Sequence, residues 1–123
     1  MAKIYVAGKD INRAQLVMRM LREGGHTITF DWLADIQNEK DKIRKAKDER
    51  DGVRVADALV YLWESDQESA RYEAGMAMGL KKLIVISGGP NSFFFTLENI
   101  MQVQSDEEII DVLKRLIPNM PPS

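Results

Sequence analysis

Residues 56–87, ADALVYLWESDQESARYEAGMAMGLKKLIVIS, decide the fold of this chain. Residues 58–63 (ALVYLW) and 83–86 (LIVI) are short apolar runs, the pattern of parallel strands that are buried on both faces. Between them, a polar loop at 64–68 leads to residues 69–80, whose alanines and methionines recur at helical spacing. The segment therefore predicts strand, loop, helix and strand, joined by a right-handed crossover.

One carboxylate of this segment is placed for chemistry. In a parallel sheet, ligands bind in the crevice at the carboxyl ends of the strands. Glu73 falls in the first turn or so of the predicted helix and therefore lies beside that crevice. Asp57 precedes its strand and belongs at the opposite end of the sheet, where we expect a structural cap.

The rest of the chain continues the alternation of strands and helices. Strands are predicted at residues 3–7, 26–30 and 101–104, and an amphipathic helix at 11–23. Residues 38–55 carry dense charge of both signs and predict a solvated helix with a narrow apolar stripe. Residues 93–100 are short helical or irregular. A last helix is predicted up to residue 117, with Ser105 as its N-cap and Glu108 completing a capping box.

This order of elements predicts an α/β fold. We expect a three-layer α/β/α domain with a five-stranded parallel sheet in the flavodoxin-like order 2-1-3-4-5. The domain spans residues 1–117, and residues 118–123 form a loose tail. The strand order brings residues 8–13, 31–32, 64–73 and 88–92 to one rim of the sheet, where function is expected.

Composition narrows the class of function. The chain has 123 residues, enough for one domain with a real core. A net charge of -2 gives no basic footprint for a nucleic acid polymer. There is no cysteine and a single histidine, His26, so metal sites built from these residues are not expected, and we predict no cofactor. No segment predicts a membrane span or a leader, so a cytoplasmic protein is expected.

Four stretches together resemble the nucleoside 2-deoxyribosyltransferase family, including the related deoxynucleoside 5'-monophosphate N-glycosidases. They are KIYVAG at 3–8, GHTITFDW at 25–32, ADALVYL at 56–62 and YEAGMAMGLKKLIVI at 72–86. The resemblance covers most of the chain and lies in the order and spacing of the pieces. It implies an enzyme that cleaves the N-glycosidic bond of a 2'-deoxynucleoside or its 5'-monophosphate, with the sugar passed to a second base or to water.

The resemblance also implies three catalytic residues. Glu73 matches the carboxylate of the family's E-x-G signature, which is the nucleophile. Tyr5 matches the tyrosine of the first strand that orients this carboxylate. Glu49 occupies the position of an aspartate that assists with the sugar and the base, and the neighbouring Asp48 and Asp51 are alternatives to it.

Substrate contacts are expected from the segments along the rim. Lys9 and Arg13 are candidates for meeting a phosphate, although Asp10 works against it and the first loop lacks a Gly-rich cradle. Trp32 and Trp63 are available to stack on the base, and an acid from Asp66, Glu68 or the Glu49 region is available to protonate it as it leaves. The residues expected to bind substrate are Gly8, Lys9, Arg13, Asp31, Trp32, Asp66, Gly75, Asn91 and Ser92.

The chemistry explains why a carboxylate is needed. Positive charge develops at C1' as the base departs, and an ionised carboxylate can stabilise this charge or bond to C1' as a glycosyl ester. Glu73 must be ionised for either role. Its place near a helix N-terminus, with Arg71 close in sequence, favours the charged form. A hydrogen bond from Tyr5 would fix its rotamer.

The expected partners are small molecules and further copies of the chain. The ligand is a deoxynucleoside or deoxynucleotide, and the resemblance implies a homodimer or larger assembly in which residues 88–95 serve a neighbouring subunit. Three consecutive phenylalanines at 93–95 support an interface. The alternative is a non-catalytic nucleotide-binding or interaction module on the same fold, since Ser69 to Tyr72 replace the glycines that often precede the family's glutamate. A flavodoxin-like or receiver-like domain is disfavoured by the first loop.

Overall fold

The computed structural model of the protein describes residues 2–35 and 41–117. These residues form one all-parallel sheet with the strand order β2-β1-β3-β4-β5. The predicted α/β fold and its flavodoxin-like order are confirmed. The strands are β1 (Lys3–Ala7), β2 (Thr27–Ile28), β3 (Ala58–Leu62), β4 (Leu83–Ser87) and β5 (Ile100–Val103).

Helices cover both faces of the sheet. They are α1 (Ile11–Glu23), α2 (Lys42–Val55), α3 (Ser69–Gly79) and α4 (Glu108–Leu116), with two short 3-10 turns at Trp32–Asp35 and Phe93–Thr96. Because neighbouring side chains of a strand point to opposite faces, the strands contribute side chains to two hydrophobic cores, one on each face of the sheet. Ile4 and Val6 pack under α1 and α4, whereas Tyr5 and Ala7 pack under α2 and α3. The sheet is therefore the middle of three layers.

The strand boundaries differ from the prediction most at β2 and by at most one residue elsewhere. Only Thr27–Ile28 pair with β1, instead of the whole of 26–30, because the chain bends into the 3-10 turn that follows. Asp31 stabilises this bend, since its carboxylate accepts hydrogen bonds from the backbone of Leu33 at 3.1 Å and of Ala34 at 3.4 Å. Strand β5 begins at Ile100, one residue earlier than predicted.

The start of α4 also differs. Glu108 accepts hydrogen bonds from the backbone of Ser105 and Gln104, both at 2.8 Å, which is the expected half of a capping box. The Ser105 hydroxyl lies 3.2 Å from the same carboxylate, to which it donates, and the helix begins only at Glu108. The prediction of Ser105 as N-cap is therefore wrong.

Other predictions fall partly outside the described residues. Helix α2 occupies Lys42–Val55 of the predicted 38–55, and residues 38–40 are not described. The predicted tail, residues 118–123, also lies outside the described part. Asp57 is the structural cap that was expected, because its carboxylate accepts a hydrogen bond from the backbone of Lys3 at 2.8 Å. No helix in the described residues has the length and apolar character needed to cross a membrane.

Candidate active site

A tyrosine and a glutamate from different layers form a buried hydrogen-bonded pair. Tyr5 lies in the middle of β1, and Glu73 opens the second turn of α3. The Tyr5 hydroxyl donates to Oε2 of Glu73 across 68 residues of sequence. Tyr5 is fully buried and Glu73 is only 7% exposed. The hydrogen bond expected between the two residues is present, and their roles in catalysis stay a prediction.

Small residues on α3 allow this pair to form. Ala70 and Ala77, three and four residues from Glu73, lie on the same face of the helix and are buried against the sheet. With only methyl groups beside it, the helix approaches the sheet closely. The tyrosine ring then spans the short remaining distance to the carboxyl group.

Burial sets the charge of the pair. Desolvation is the main cause that raises the pKa of Glu73 to about 8, and the negative charge of Glu49 raises it further, whereas the hydrogen bond from Tyr5 acts in the opposite direction. Burial and the charge of Glu73 also raise the pKa of Tyr5. At neutral pH most molecules therefore carry a protonated Glu73.

The expectation that the helix N-terminus and Arg71 keep Glu73 ionised is wrong. Arg71 is exposed and its guanidinium hydrogen-bonds Tyr61 instead of Glu73. Neither effect offsets the loss of water around the buried carboxyl group. Removal of an acid from water favours its neutral form, and here this cause dominates.

Helix α2 brings one acid towards the pair. Glu49 is half-buried, and its charge raises the pKa of both Tyr5 and Glu73. Asp48 instead pairs with Arg44 at 2.8 Å, and Asp51 lies 3.7 Å from Arg54. Of the three candidate acids, Glu49 is the one that belongs electrostatically to this cluster.

A glycine that sequence reasoning missed lies against the pair. A Cβ atom on Gly52 of α2 would lie 3.0 Å from Cδ2 of Tyr5 and 3.0 Å from Cβ of Phe30. The signal was present in the sequence, because an isolated glycine inside a helix costs stability and often marks a close approach.

The structure uses Arg13 differently from the prediction. Its guanidinium donates to both carboxylate oxygens of Asp106 at 2.8 and 2.9 Å and to Glu64 at 2.8 Å. The backbone carbonyls of Trp63 and Ser87 accept two more hydrogen bonds, at 2.7 and 3.0 Å. All five N–H donors of the side chain are therefore engaged. A phosphate would have to break one of these bonds, so Arg13 acts as a structural clamp in the free protein, and its role as a phosphate ligand stays a prediction.

The aromatic and acidic candidates after β2 are also engaged. The indole N–H of Trp32 donates to the backbone carbonyl of Val6 at 2.8 Å, and the ring packs against both cores. Asp31 forms an ion pair with Arg22 at 2.8 Å besides capping the 3-10 turn. These contacts fix both side chains in the fold, and base stacking by Trp32 stays a prediction.

Three candidates share a small cavity at the first turn of α3. Gly8, Lys9 and Asp66 line a space of about 400 Å³, together with residues 67–70. The Lys9 ammonium donates to the backbone carbonyl of Asp66 at 2.7 Å and lies 3.4 Å from its carboxylate. Ala70, which also lines this cavity, is three residues from Glu73.

The remaining candidates lie elsewhere. Gly75 and Ser92 line an apolar groove of about 660 Å³, and Asn91 is exposed in the loop beside it. Gly75 has no atom within 4 Å of its Cβ position. Neither Tyr5 nor Glu73 lines the groove or the small cavity. A sugar that reaches Glu73 must therefore displace side chains that now cover it.

No group of three or more histidine, aspartate or glutamate side chains within residues 2–35 and 41–117 is arranged to hold a metal ion.

Comparison with known proteins shows a likeness of fold. No protein-family model matches the chain, and neither does a curated protein. A solved structure of a CMP N-glycosidase from Clostridium botulinum, BcmB, is similar, with a TM-score of 0.66 over 92% of this chain and 98% of that chain. The two sequences are 14% identical, so the likeness shows a common fold.

Proposed function

We propose that this protein cleaves the N-glycosidic bond of a 2'-deoxynucleoside or its 5'-monophosphate, with Glu73 as the nucleophile. The observation that carries the proposal is the buried hydrogen bond from Tyr5 to Glu73. The fold shared with a CMP N-glycosidase supports it, because that protein acts on the same type of bond. The proposed enzyme is therefore a nucleoside deoxyribosyltransferase-like transferase or hydrolase of nucleotide metabolism.

Glu73, Glu49 and Tyr5 each have a separate role in the proposed reaction. Ionised Glu73 forms a bond to C1' while the bond from C1' to the base nitrogen breaks, and the electron pair leaves with the base. Glu49, in its protonated form, is the proposed acid that gives its proton to the departing base, since it lies close enough to the pair to act on it electrostatically. Tyr5 holds the carboxylate in one rotamer. A second base or a water then attacks C1', the ester bond from C1' to Glu73 breaks, and the attacking group gives its proton to the Glu49 carboxylate.

Burial of Glu73 favours this reaction at its transition state. A carboxylate deprived of water is stabilised strongly by a nearby positive charge, and such a charge develops at C1' only as the bond breaks. The same burial makes ionisation unfavourable before the reaction. The site therefore stabilises the transition state more than the ground state.

The charge around the small cavity favours a substrate whose 5' end carries no phosphate. The ammonium of Lys9 is engaged by Asp66, Arg13 is engaged by its own partners, and Glu68 adds another carboxylate to the lining. A phosphate in this cavity would meet more negative than positive charge, which costs free energy. Within the proposed reaction, a deoxynucleoside is therefore the preferred substrate over its 5'-monophosphate.

We also infer a homodimer or larger assembly. The connection between β4 and β5 contains one four-residue 3-10 turn, Phe93–Thr96, in place of a helix. Such a short element covers little of the sheet beside α3. Phe93 is 78% exposed and Phe94 is 54% exposed, next to the apolar groove. Aromatic side chains exposed in this number are typical of an interface. Cytoplasmic location stays a prediction from the sequence.

The test is an exchange assay. The protein is incubated with deoxynucleosides and a free base, and in parallel with the 5'-monophosphates, and new nucleosides and released bases are separated by chromatography. We expect turnover of deoxynucleosides and a loss of at least about 1,000-fold in Glu73→Ala. The control Glu107→Ala removes an exposed carboxylate outside the site. Full activity of Glu73→Ala would rule out the mechanism.

One observation favours the second candidate, a nucleotide-binding module without activity. Glu73 is covered and mostly protonated at neutral pH, which suits a structural residue better than a nucleophile. A deoxynucleotide that raises the unfolding temperature without being turned over would support the binding module. Turnover of any deoxynucleoside that depends on Glu73 would exclude it.

A further inference from the structure

We propose that Gly52 is a positioning residue of this site, because its missing side chain leaves the space in which the Tyr5 ring must lie to reach Glu73. The effect of Gly52 on the position of Tyr5 follows from packing alone, and its effect on catalysis rests on the proposed function. Gly52 touches neither reacting atoms nor substrate in this scheme and acts through Tyr5.

The packing at Gly52 leaves no room for a methyl group. A Cβ atom there would lie 3.0 Å from Cδ2 and 3.2 Å from Cε2 of Tyr5, and 3.0 Å from Cβ of Phe30. Ordinary van der Waals contacts at such positions are 3.4 Å or longer. An alanine at position 52 therefore pushes on the tyrosine ring and on the backbone side of Phe30 together.

The ring can yield only by moving its hydroxyl. Tyr5 is fully buried, and its backbone is held in the sheet opposite Leu59 of β3. A push on the ring edge thus becomes a rotation about the side-chain bonds, which displaces the hydroxyl at the far end most. Hydrogen bonds weaken steeply with changes of distance and angle, so the bond to Glu73 is the contact most affected.

The position of the glycine on its helix supports a role in the site. Gly52 and Glu49 are three residues apart and therefore lie on the same face of α2. One residue leaves space for the Tyr5 ring, and the other brings negative charge to the same pair. By contrast, Gly79 at the end of α3 has nothing within 4 Å of its Cβ position, so not every helical glycine of the chain permits a close approach.

The experiment compares Gly52→Ala with Gly24→Ala, in which the added methyl meets no atom closer than 3.4 Å. The pKa of Glu73 is measured by carbon-13 NMR of its carboxyl group. The hydrogen bond from Tyr5 lowers that pKa, and Glu49 raises it. We therefore expect a higher pKa in Gly52→Ala and no change in Gly24→Ala. In a Tyr5→Phe background, Gly52→Ala should leave the pKa of Glu73 unchanged, because the hydrogen bond is already absent.

A lower unfolding temperature of Gly52→Ala with an unchanged pKa of Glu73 would overturn the proposal, because Gly52 would then serve packing only. If Gly52→Ala does not fold, Tyr5→Leu combined with Gly52→Ala replaces the test, since leucine removes the ring. We expect this double variant to fold, because only the contact with Cβ of Phe30 remains once the ring is removed. A double variant that also fails to fold would equally overturn the proposal.

The catalytic consequence has its own readout. If wild-type protein turns over a deoxynucleoside, we expect Gly52→Ala to lower kcat at least about tenfold with little change in KM, because a misplaced carboxylate affects chemistry more than binding. An inactive wild-type protein would refute the proposed function. The pKa and the unfolding temperature would still decide the role of Gly52.

Discussion

Glu73 carries a carboxyl group that its surroundings keep protonated at neutral pH. The side chain is buried beneath α3, and the Tyr5 hydroxyl supplies one hydrogen bond in place of several waters. One neutral donor does not compensate a carboxylate for lost solvation. The ionised form that the proposed chemistry needs is therefore a minority species, and its population depends on pH.

This protonation makes stability depend on pH. The pKa of Glu73 is about 8 in the folded protein and near 4.5 when unfolded, so between these values the folded state holds a proton that the unfolded state has released. The contribution is fully present below pH 4.5 and is lost as the pH rises towards 8. We expect a loss of up to about 1.4 kcal/mol per pH unit in the free energy of unfolding. Urea unfolding from pH 4.5 to 8.5 measures it.

Glu73→Gln should abolish this slope, because an amide does not titrate. Glu107→Gln, at an exposed position of α4's start, serves as the matched control and should keep it. Equal slopes in wild type and Glu73→Gln would contradict the assignment of the titration to Glu73. For the proposed reaction, kcat/KM should rise with pH towards about 8 for the same reason.

At the scale of elements, Arg13 joins four parts of the fold. It projects from α1 to the carbonyls at the ends of β3 and β4 and to Asp106 just before α4. Burial alone would raise the pKa of Asp106, but hydrogen bonds from Arg13 and Ser87 hold it below its usual value. The Arg13 guanidinium therefore links α1 to the ends of β3 and β4 and to the segment before α4, at the carboxyl edge of the sheet.

Arg13→Met should lower the free energy of unfolding by about 2–4 kcal/mol, because Asp106 and Glu64 are left partly buried without their cation. Arg13→Lys should recover only part of this loss, since an ammonium cannot reproduce the guanidinium fork. Urea unfolding at pH 7 gives both values. Arg19→Met, at an exposed position of the same helix, is the control. An Arg13→Met protein as stable as this control would show that the clamp contributes nothing.

At the scale of the whole molecule, one side of the sheet is covered less completely than the other. Helices α1 and α4 pack on one face, whereas α2 and α3 share the other with the short turn at Phe93–Thr96. The groove beside this turn is lined by Trp63, Phe94 and Phe95 together with Met78 of α3. A second copy that covers these rings would remove apolar surface from water.

Phe94→Asp should therefore reduce the native mass. We expect wild-type protein to be dimeric or larger at micromolar concentration and Phe94→Asp to be monomeric, because a buried, unpaired charge opposes association. Light scattering after size exclusion measures the mass. Leu16→Asp alters an apolar residue of α1 with 45% exposure and should leave the mass unchanged. Monomeric wild-type protein would contradict the inferred assembly.

The sequence by itself determined the fold, because it depends on patterns that are local. Apolar runs of strand length and helical spacing located the elements, and general rules of handedness and crossover then ordered the strands. The same topology, with the family resemblance, brought Tyr5 and Glu73 together. The ends of the elements were predicted less accurately than the elements themselves, as at Ser105 and the end of β2. There, side chains such as Asp31 hydrogen-bond to nearby groups of the chain and change where an element begins or ends.

The tertiary structure alone decided what these residues do electrostatically. Arg13 and Asp106 are 93 residues apart, so no local pattern shows that the predicted phosphate ligand is already engaged. The charge of Glu73 follows from how completely its neighbours exclude water, and the need for a glycine at position 52 follows from where the Tyr5 ring lies. Desolvation and close packing depend on atoms brought together from distant parts of the chain, and these appear only in the folded protein.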